Sequence, residues 1–250
     1  MGIFRNVAAA TAILVMSGLV AASASASVVI TGTRVVYQEK DPEVTVRVTN
    51  DGKSPALVQT WIDAGNPHAL PDENAVPFTI LPPLFRLDPN KGQSLRLMYT
   101  HEPLAKDKES LYWLNVLEVP PRATGKDADP NVLRLALRTR IKLFFRPTGL
   151  AGDPRDAPGA VKWAFVEHDG RYVLRATNPT AYHVTFTVVS VKAGGVERTN
   201  DKGGMVDPQA STEFDMGNLG AKPSGPLVVN FKSIDDFGAG VEGSWREKTN

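Results

Sequence analysis

The feature of this sequence that most limits its fold is a long alternation of apolar and basic residues between Asn131 and Pro147. Apolar side chains occupy nearly all odd positions: Leu133, Leu135, Leu137, Ile141, Leu143 and Phe145. Basic side chains occupy most even positions: Arg134, Arg138, Arg140, Lys142 and Arg146. Successive side chains of an extended chain point to opposite faces, so this pattern predicts a β-strand with one apolar and one basic face.

The predicted strand is unusually long. From Val132 to Arg146 it would span about 50 Å at a rise of roughly 3.3 Å per residue, whereas strands usually contain about 3–10 residues. Either the strand bends between two sheets, or part of it projects beyond its own sheet as an unpaired edge. An exposed aliphatic edge recruits other chains, so the second interpretation indicates a function in binding another polypeptide.

Residues 1–26 have the features of a secretion signal. Arg5 supplies a short positive region, an apolar stretch covers residues 7–22, and Ala24-Ser25-Ala26 forms a cleavage pattern of small residues. The alternative, an uncleaved membrane anchor, requires a span of roughly 20 apolar residues, and this stretch is shorter. We therefore expect a periplasmic chain that begins at Ser27 and does not insert into the membrane.

Charge and cysteine content narrow the classes of function. Removal of Arg5 leaves 27 basic and 27 acidic residues, so the exported chain has no net charge. Such a balance does not indicate a nucleic acid or an acidic membrane surface as a partner. The chain contains no cysteine, so its stability must come from apolar cores rather than from disulfides.

The first half of the exported chain has the pattern of a β-sandwich. Short alternating segments are punctuated by turns, without helical periodicity. The predicted strands are Val28–Tyr37, Val44–Val48, Leu57–Ile62, Ser94–Tyr99 and Leu111–Val119. Asn50-Asp51-Gly52 predicts a hairpin turn, and the last of these segments is apolar on both faces, which is typical of a central strand.

A second β-rich region follows a linker. Residues 148–159 are rich in Gly, Pro and Asp and have no periodicity, which predicts a domain boundary. Further strands are predicted at Val161–Glu167, Tyr172–Ala176, Val184–Val191 and Leu227–Phe231. The predicted organisation is an all-β protein with a signal at 1–26, a first sandwich domain at 27–147, the linker at 148–159 and a second sandwich domain at 160–250.

The sequence offers no positive evidence for catalysis. Residues 238–243 match the dinucleotide-binding pattern G-x-G-x-x-G, but too little chain follows for the required helix, so we interpret them as a glycine-rich hairpin. The four histidines have no metal-ligand spacing, and no G-x-S-x-G motif is present. We expect no enzyme activity, no cofactor and no metal.

The long strand suggests a mechanism of binding. An extended edge can pair with a partner's backbone while alternate side chains fill the partner's pockets. Here Leu133, Leu135 and Leu137 would be donated, each contributing about 1.5–3 kcal/mol if fully buried. Alternatively, the leucines pack in the core of their own domain, which is the commoner arrangement for an alternating strand. The pattern leaves this choice open.

A family resemblance bears on that choice. The segment from Leu104 to Pro120, LAKDKESLYWLNVLEVP, resembles along its whole length the signature of the PapD-like periplasmic pilus-assembly chaperones. Thr33-Arg34, Leu81-Pro82-Pro83, residues 139–147 and residues 178–182 are similar to further landmarks of the family. The resemblance covers nearly the whole exported chain.

The resemblance implies two immunoglobulin-like sandwiches in a boomerang arrangement. Family members bind pilin subunits in the periplasm, complete them by donating the last strand of the first domain, and release them to an outer-membrane usher. Arg34 and Lys142 match the two basic residues of the family that hold the pilin's terminal carboxylate in the interdomain cleft. Two fixed cations around one carboxylate would also set the register of pairing, although either residue alone would be an ordinary solvated cation.

Three more residues are implied by the resemblance. Glu109, Arg146 and Asp236 match the family's interdomain ion-pair network, which would fix the angle between the domains; otherwise they are unrelated surface charges, which contribute little when exposed. A short loop at residues 121–130 and the absence of cysteine resemble the short-loop class. The bare strand edge would also permit a self-capping homodimer.

Two other classes of function remain as alternatives. An envelope adhesin or sugar-binding module would need an exposed aromatic platform, whereas Trp61 and Trp113 lie within apolar segments. An exported hydrolase built on a sandwich would need a cluster of carboxylates or a metal site, which the sequence does not show.

Overall fold

We describe a computed structural model that covers residues 27–71, 75–121, 135–193, 195–217 and 224–247. The predicted signal, the residue Leu133 and most of the predicted short loop lie outside these residues. Within them the chain forms seventeen strands and one four-residue helix. That helix is too short to cross a membrane, and no other described segment forms a helix that could.

The N-terminal domain contains two sheets that face each other. Its strands are β1 Val28–Ile30, β2 Arg34–Gln38, β3 Val44–Asn50, β4 Ala56–Asp63, β5 Phe78–Leu81, β6 Leu84–Leu87, β7 Gly92–Tyr99, β8 Ser110–Val119 and β9 Leu137–Arg146. Sheet 1 has the order β1-β3-β7-β5, and sheet 2 has the order β2-β9-β8-β4-β6. All neighbouring strands are antiparallel except β2 and β9, which are parallel.

The C-terminal domain is a second, separate sandwich. Its elements are α1 Ala157–Ala160, β10 Lys162–His168, β11 Arg171–Thr177, β12 Val184–Ala193, β13 Val196–Asn200, β14 Gly204–Val206, β15 Ser211–Phe214, β16 Val228–Ile234 and β17 Gly240–Arg246. Sheet 3 has the order β10-β11-β15, and sheet 4 the order β13-β12-β16-β17, with β14 also paired to β12.

Each sandwich has its own apolar core. In the first, Phe145 is completely buried and lies against the rings of Tyr37, Tyr99 and Phe78. In the second, Trp163 is surrounded by Phe186, Phe214 and Phe231. The two buried clusters share no residue, so the prediction of an all-β chain with two tandem immunoglobulin-like sandwiches is confirmed.

Two predictions about local pairing were wrong. The segment Val28–Tyr37 is not one strand: β1 pairs with β3 in sheet 1, and β2 pairs with β9 in sheet 2. The chain changes sheets over residues 31–33, where Gly32 adopts a φ of +93°. This positive φ favours glycine and interrupts the extended backbone. Val28 of β1 and Val35 and Tyr37 of β2 are nevertheless buried in one core, with the buried positions changing from even to odd where the chain changes sheets.

The turn Asn50-Asp51-Gly52 does not form a hairpin. It joins β3 of sheet 1 to β4 of sheet 2. The amide of Asn50 is fully buried and donates to the carbonyl oxygens of Ser54 and Leu87, both at 2.9 Å, while its oxygen accepts from the N–H of Gly52. These bonds tie the turn to the end of β6, so the chain crosses between sheets instead of folding back.

Other parts of the sequence interpretation agree with the structure. The segment predicted to be a central strand is β8, which lies between β4 and β9. The glycine-rich segment 238–243 lies in the hairpin of β16 and β17. At the end of the predicted linker, α1 places Ala157 in the core of the C-terminal domain, and Val161 follows it there.

Candidate functional site

The two halves of β9 have different neighbours. Residues 142–145 pair with β2 on one side and with β8 on the other, and Arg146 pairs with β2. Residues Leu137–Ile141 pair with β8 alone among the described strands. We call the unpaired side of this first half the open edge. Its backbone N–H and C=O groups are available to another extended chain.

The apolar face of β9 also changes along the strand. Leu143 and Phe145 are fully buried and Ile141 is 8 % exposed, whereas Leu137 is 40 % and Leu135 is 60 % exposed. All five side chains have the same parity, so one continuous face passes from the core to the surface. Leu135 and Leu137 therefore do not pack in the core of their own domain. Leu133, predicted to act with them, lies outside the described residues.

The basic face of β9 is held by a buried carboxylate. Asp63 of β4 is fully buried, and its oxygens accept from the Nε of Arg140 at 3.1 Å and from the amide of Asn115 at 2.8 Å. The Nε of Arg138 donates to Asn115 at 2.9 Å. Burial would raise the pKa of Asp63, but the hydrogen bonds from Arg140, Asn115 and the N–H of Gly65 outweigh it and lower that pKa.

Two tryptophans complete this face. The guanidinium of Arg138 lies 4.8 Å from the ring centre of Trp61, and that of Arg140 lies 4.0 Å from the ring centre of Trp113. Contacts of this kind are favourable cation–π interactions. The rings are thus covered by arginines, and Trp61 is only 7 % exposed. They do not form the exposed aromatic platform that a sugar-binding module would need.

Arg34 and Lys142 lie side by side between the domains. They are paired residues on the parallel strands β2 and β9, so their side chains share one face. Each reaches the C-terminal domain: Nη1 of Arg34 donates to the carbonyl of Ile234 at 3.3 Å, and Nζ of Lys142 donates to the hydroxyl of Thr185 at 3.5 Å. The sequence placed both residues in the interdomain cleft, and the structure shows them there as neighbours.

Neither cation is neutralised by a described residue. Burial lowers the pKa of Lys142, and the charge of Arg34 lowers it further. Burial also lowers the pKa of Arg34, despite the opposing fields of Asp236, Asp235 and Glu109. The Nε of Arg34 is buried and has no hydrogen-bond acceptor. A carboxylate placed between the two side chains would supply the missing negative charge and acceptor.

Arg146 lies four residues beyond Lys142 on β9 and, unlike Arg34 and Lys142, is paired with carboxylates. Its Nε donates to Glu109 at 2.7 Å, and its two terminal nitrogens donate to both oxygens of Asp236 at 2.7 and 2.8 Å. Burial alone would lower the pKa of Arg146, but the hydrogen bonds of Asp236 and the charges of both carboxylates raise it. Glu109 belongs to the N-terminal domain and Asp236 to the C-terminal domain, so this network joins the two sandwiches.

His183 is part of the same network and was missed by the sequence interpretation. Its backbone N–H donates to Glu109 at 2.8 Å, and its Nδ1 lies 3.1 Å from the same carboxylate oxygen. The N–H of Glu109 donates to the carbonyl of Ala181 at 2.9 Å. The turn that presents these groups is fastened by the buried amide of Asn178, which donates to the carbonyl of Tyr182 at 2.8 Å.

The sequence did contain a signal for this contact. Residues 178–182 had been recognised as a family landmark, and His183 follows them directly. The spacing of the four histidines excludes His183 as a metal ligand but says nothing about its role as a hydrogen-bond partner. In the described part of the chain, no group of three or more histidines, aspartates and glutamates is arranged to hold a metal ion.

The fold and the site together define a class of protein: a two-domain, all-β binding protein with an open strand edge and an interdomain pair of cations. Two protein-family models match the chain. The description "Pili and flagellar-assembly chaperone, PapD N-terminal domain" applies to residues 27–151, and "Pili assembly chaperone PapD, C-terminal domain" applies to residues 156–244.

Curated relatives agree with this match. The chain is 42 % identical over 246 residues to the probable fimbrial chaperone YadV of Escherichia coli strain K12, covering 97 % of this chain and 99 % of the relative. It is 44 % identical over 227 residues to the chaperone protein FimB/FhaD of Bordetella pertussis, covering 89 % of each. The chain therefore belongs to the family of PapD-like pilus-assembly chaperones, which are not enzymes.

Solved structures show the same similarity. The crystal structure of the YadV chaperone matches with a TM-score of 0.75 and 41 % identity, covering 89 % of this chain and 100 % of that chain. A complex of the Salmonella enterica SafA pilin with the SafB chaperone matches with a TM-score of 0.68 and 30 % identity, covering 90 % and 98 %. The recognised family and the predicted non-enzymatic class are confirmed.

Proposed function

We propose that this chain captures pilin subunits in the periplasm by donating the first half of β9 to an incomplete subunit and by holding the subunit's terminal carboxylate between Arg34 and Lys142. The observation that carries the proposal is the combination of an open edge on β9, two exposed leucines at its start, Leu135 and Leu137, and two adjacent cations without a counterion, Lys142 of β9 and Arg34 of β2. The family is itself an example of strand addition between chains, and SafB, a relative, is described in complex with a pilin.

The strand pairing suggests how the subunit would lie. Its final strand would run along residues 135–136 and the first half of β9, residues 137–141, and end at Lys142, so it would run parallel to β9. On that side of β9 the next residues are already paired with β2, which is also parallel and begins at Arg34. The subunit's last strand and β2 would therefore lie end to end, and Arg34 would meet the terminal carboxylate.

The energies are consistent with stable capture. Leu135 and Leu137 would each contribute about 1.5–3 kcal/mol if a subunit buried them fully. Charge-assisted hydrogen bonds to the carboxylate would add about 1.5–3 kcal/mol each. The carboxylate would also fix the register, because a shift by one residue would turn the partner's apolar side chains to the wrong face.

Three finer features belong to the same proposal. Residues 1–26 would direct the chain to the periplasm, and an outer-membrane usher would receive the captured subunit. The network of Glu109, Arg146 and Asp236 would hold the two domains at the angle that keeps the cleft open. Without a subunit, the open edge of a second copy could cover the first and form a capped homodimer.

The proposal is tested by capture of partners from the periplasm of the native host under conditions that induce surface fibres. A C-terminally tagged chain is compared with its Lys142→Ala variant, and with Lys162→Ala as a matched control, since Lys162 is an exposed lysine on β10. We expect a small β-rich subunit in equimolar amount with the wild type and the control, but not with Lys142→Ala. Absence of any such subunit from the wild type would contradict capture, and equal recovery by Lys142→Ala would contradict anchoring.

A further inference from the structure

A cavity of about 650 Å³ lies between the domains beside Arg34. Its walls include Arg34 and Phe144 from the N-terminal domain, and Pro158, Ile234, Phe237 and Val241 from the C-terminal domain. Most of this lining is apolar. Because Arg34 lies on its wall, the cavity adjoins the place proposed for the partner's terminal carboxylate.

Phe237 is exposed to an unusual degree and is held rigidly. Its side chain is 91 % exposed. The turn that carries it is fastened by Asp235, whose Oδ1 accepts from the N–H of Phe237 at 3.0 Å and from the N–H of Ala239 at 2.8 Å. Asp236, which lies between Asp235 and Phe237 in the sequence, pairs with Arg146. An exposed aromatic ring on a fixed turn is a typical anchor for a binding partner.

The charges around the cavity favour one kind of occupant. Arg34 has a buried nitrogen without an acceptor, so it favours a carboxylate at the mouth. Two other arginines line the cavity, but Arg146 is paired with Glu109 and Asp236, and Arg155 with Asp153.

Asp235 and Glu242 also line the cavity and are not part of these pairs, so an acidic side chain inside it would be repelled. A chain end that combines a terminal carboxylate with an apolar last side chain satisfies both conditions.

We propose that this cavity is a specificity site for the last residue of the captured subunit, which places an apolar or aromatic side chain against Phe237 and Val241 while its carboxylate binds Arg34. The inference rests on the proposed carboxylate anchor and adds to it a preference for side-chain type. A pocket of this kind discriminates between large and small apolar groups by their buried surface.

The test uses short fluorescein-labelled peptides that are long enough to pair with residues 135–142. They share one alternating apolar sequence and end in Phe, Leu, Ala or Glu, each as a free carboxylate and as an amide. Binding to the full chain is measured by fluorescence polarisation. We expect the Phe and Leu carboxylates to bind about tenfold or more tightly than the Ala carboxylate, the Glu carboxylate to bind least tightly, and all amides to bind weakly.

Variants locate the effect. Phe237→Ala should remove most of the preference for Phe over Ala, and Val241→Trp should fill the cavity and weaken the Phe peptide while sparing the Ala peptide. Leu84→Ala is the matched control, because Leu84 is 55 % exposed on β6, the opposite edge of sheet 2, and it should change nothing. Both cavity variants should keep the wild-type urea midpoint within error.

The outcomes separate the two proposals. If carboxylates bind better than amides but the last side chain has no influence, the specificity site is wrong and the anchor stands. If carboxylates and amides bind equally, or no peptide binds, the anchor fails and the specificity site fails with it. A preference for Phe that survives Phe237→Ala and Val241→Trp would place the recognition elsewhere and overturn the inference.

Discussion

Arg146 and the pair Arg34–Lys142 lie within a few residues of one another on the parallel strands β2 and β9, but their surroundings differ. Arg146 donates to two carboxylates, one from each domain, and is 8 % exposed. Arg34 reaches a carbonyl of the C-terminal domain, and Lys142 reaches the hydroxyl of Thr185 and the sulfur of Met205, but neither pairs with a described carboxylate. Equally basic residues in one cleft are thus neutralised in one place and left without a counterion in the other.

The difference indicates a division of roles. A buried cation that is paired and fully hydrogen-bonded fixes the geometry of the groups around it. A buried cation without a counterion lowers stability, and proteins retain such strain mainly at sites of function. The N-terminal and C-terminal domains are therefore joined at Arg146, and the neighbouring cation pair is the site at which we propose that the partner's carboxylate binds.

The largest expected effect is on partner capture. Replacement of both Arg34 and Lys142 by Ala should weaken binding of the subunit recovered from the periplasm by about 1,000-fold, since loss of a buried charged contact costs roughly 2–5 kcal/mol. Isothermal titration with the purified subunit measures the change. The urea midpoint should not fall, because neither cation holds a described carboxylate in the free protein. If the double variant keeps its affinity for the subunit, or if it is unfolded, then Arg34 and Lys142 do not differ in role from Arg146.

The next effect is on stability. Arg146→Ala leaves Glu109, which is 5 % exposed, without its main partner, and breaking a buried pair in this way costs about 3–5 kcal/mol. Urea unfolding measures the loss. Asp236→Asn should lower the free energy of unfolding by less than Arg146→Ala does, because the Asp236 side chain is 35 % exposed.

One result would contradict the difference in role between Arg146 and the pair Arg34–Lys142. If Arg146→Ala proves as harmless to unfolding as Lys142→Ala, the network of Glu109, Arg146 and Asp236 does not hold the domains, and the assignment of roles must be reversed or abandoned.

The third effect concerns the open edge. Leu135→Arg should weaken subunit binding by about 2 kcal/mol, the value for burying one leucine, while solubility and the urea midpoint stay unchanged because Leu135 is 60 % exposed. Leu84→Arg is the control, as a leucine of similar exposure on the opposite edge of sheet 2. Equal binding by the wild type and Leu135→Arg would show that the first half of β9 is not donated.

The smallest effect is a gain in stability. Because burial lowers the folded-state pKa of Lys142, the folded protein is penalised for the charge at neutral pH, and Lys142→Met should raise the unfolding free energy by a small amount. As pH rises through the lowered pKa toward the unfolded value, the wild type sheds this penalty and the gain should shrink.

The corresponding measurement is urea unfolding of both proteins at a series of pH values from 7 to above 10. A variant less stable than the wild type at pH 7, or a gain that grows with pH, would mean that Lys142 has a stabilising partner in the free protein. Subunit binding by the wild type should decline over the same rise in pH, as Lys142 loses the charge that attracts the carboxylate.

Much of the fold could be predicted because the alternation of side chains is a local property. The strands β3, β4, β8 and β9 follow from residues that are near one another in sequence. Pairing could not be predicted in the same way. The Asn50-Asp51-Gly52 turn has hairpin chemistry, but the buried amide of Asn50 bonds to Leu87, 37 residues further along the chain.

The candidate site also has features that the sequence determines and features that only the tertiary structure determines. The sequence by itself determined which residues of β9 are apolar and which are basic, and through the family signature it singled out Arg34 and Lys142. Only the tertiary structure decided that the apolar face is buried at Phe145 and exposed at Leu135. Phe145 is covered by rings from distant strands, Tyr37, Phe78 and Tyr99, and β2 begins beside β9 only at Lys142. It also decided that Arg146 is neutralised by Glu109 and Asp236, which lie 37 and 90 residues away, while none of the described carboxylates pairs with Arg34 or Lys142.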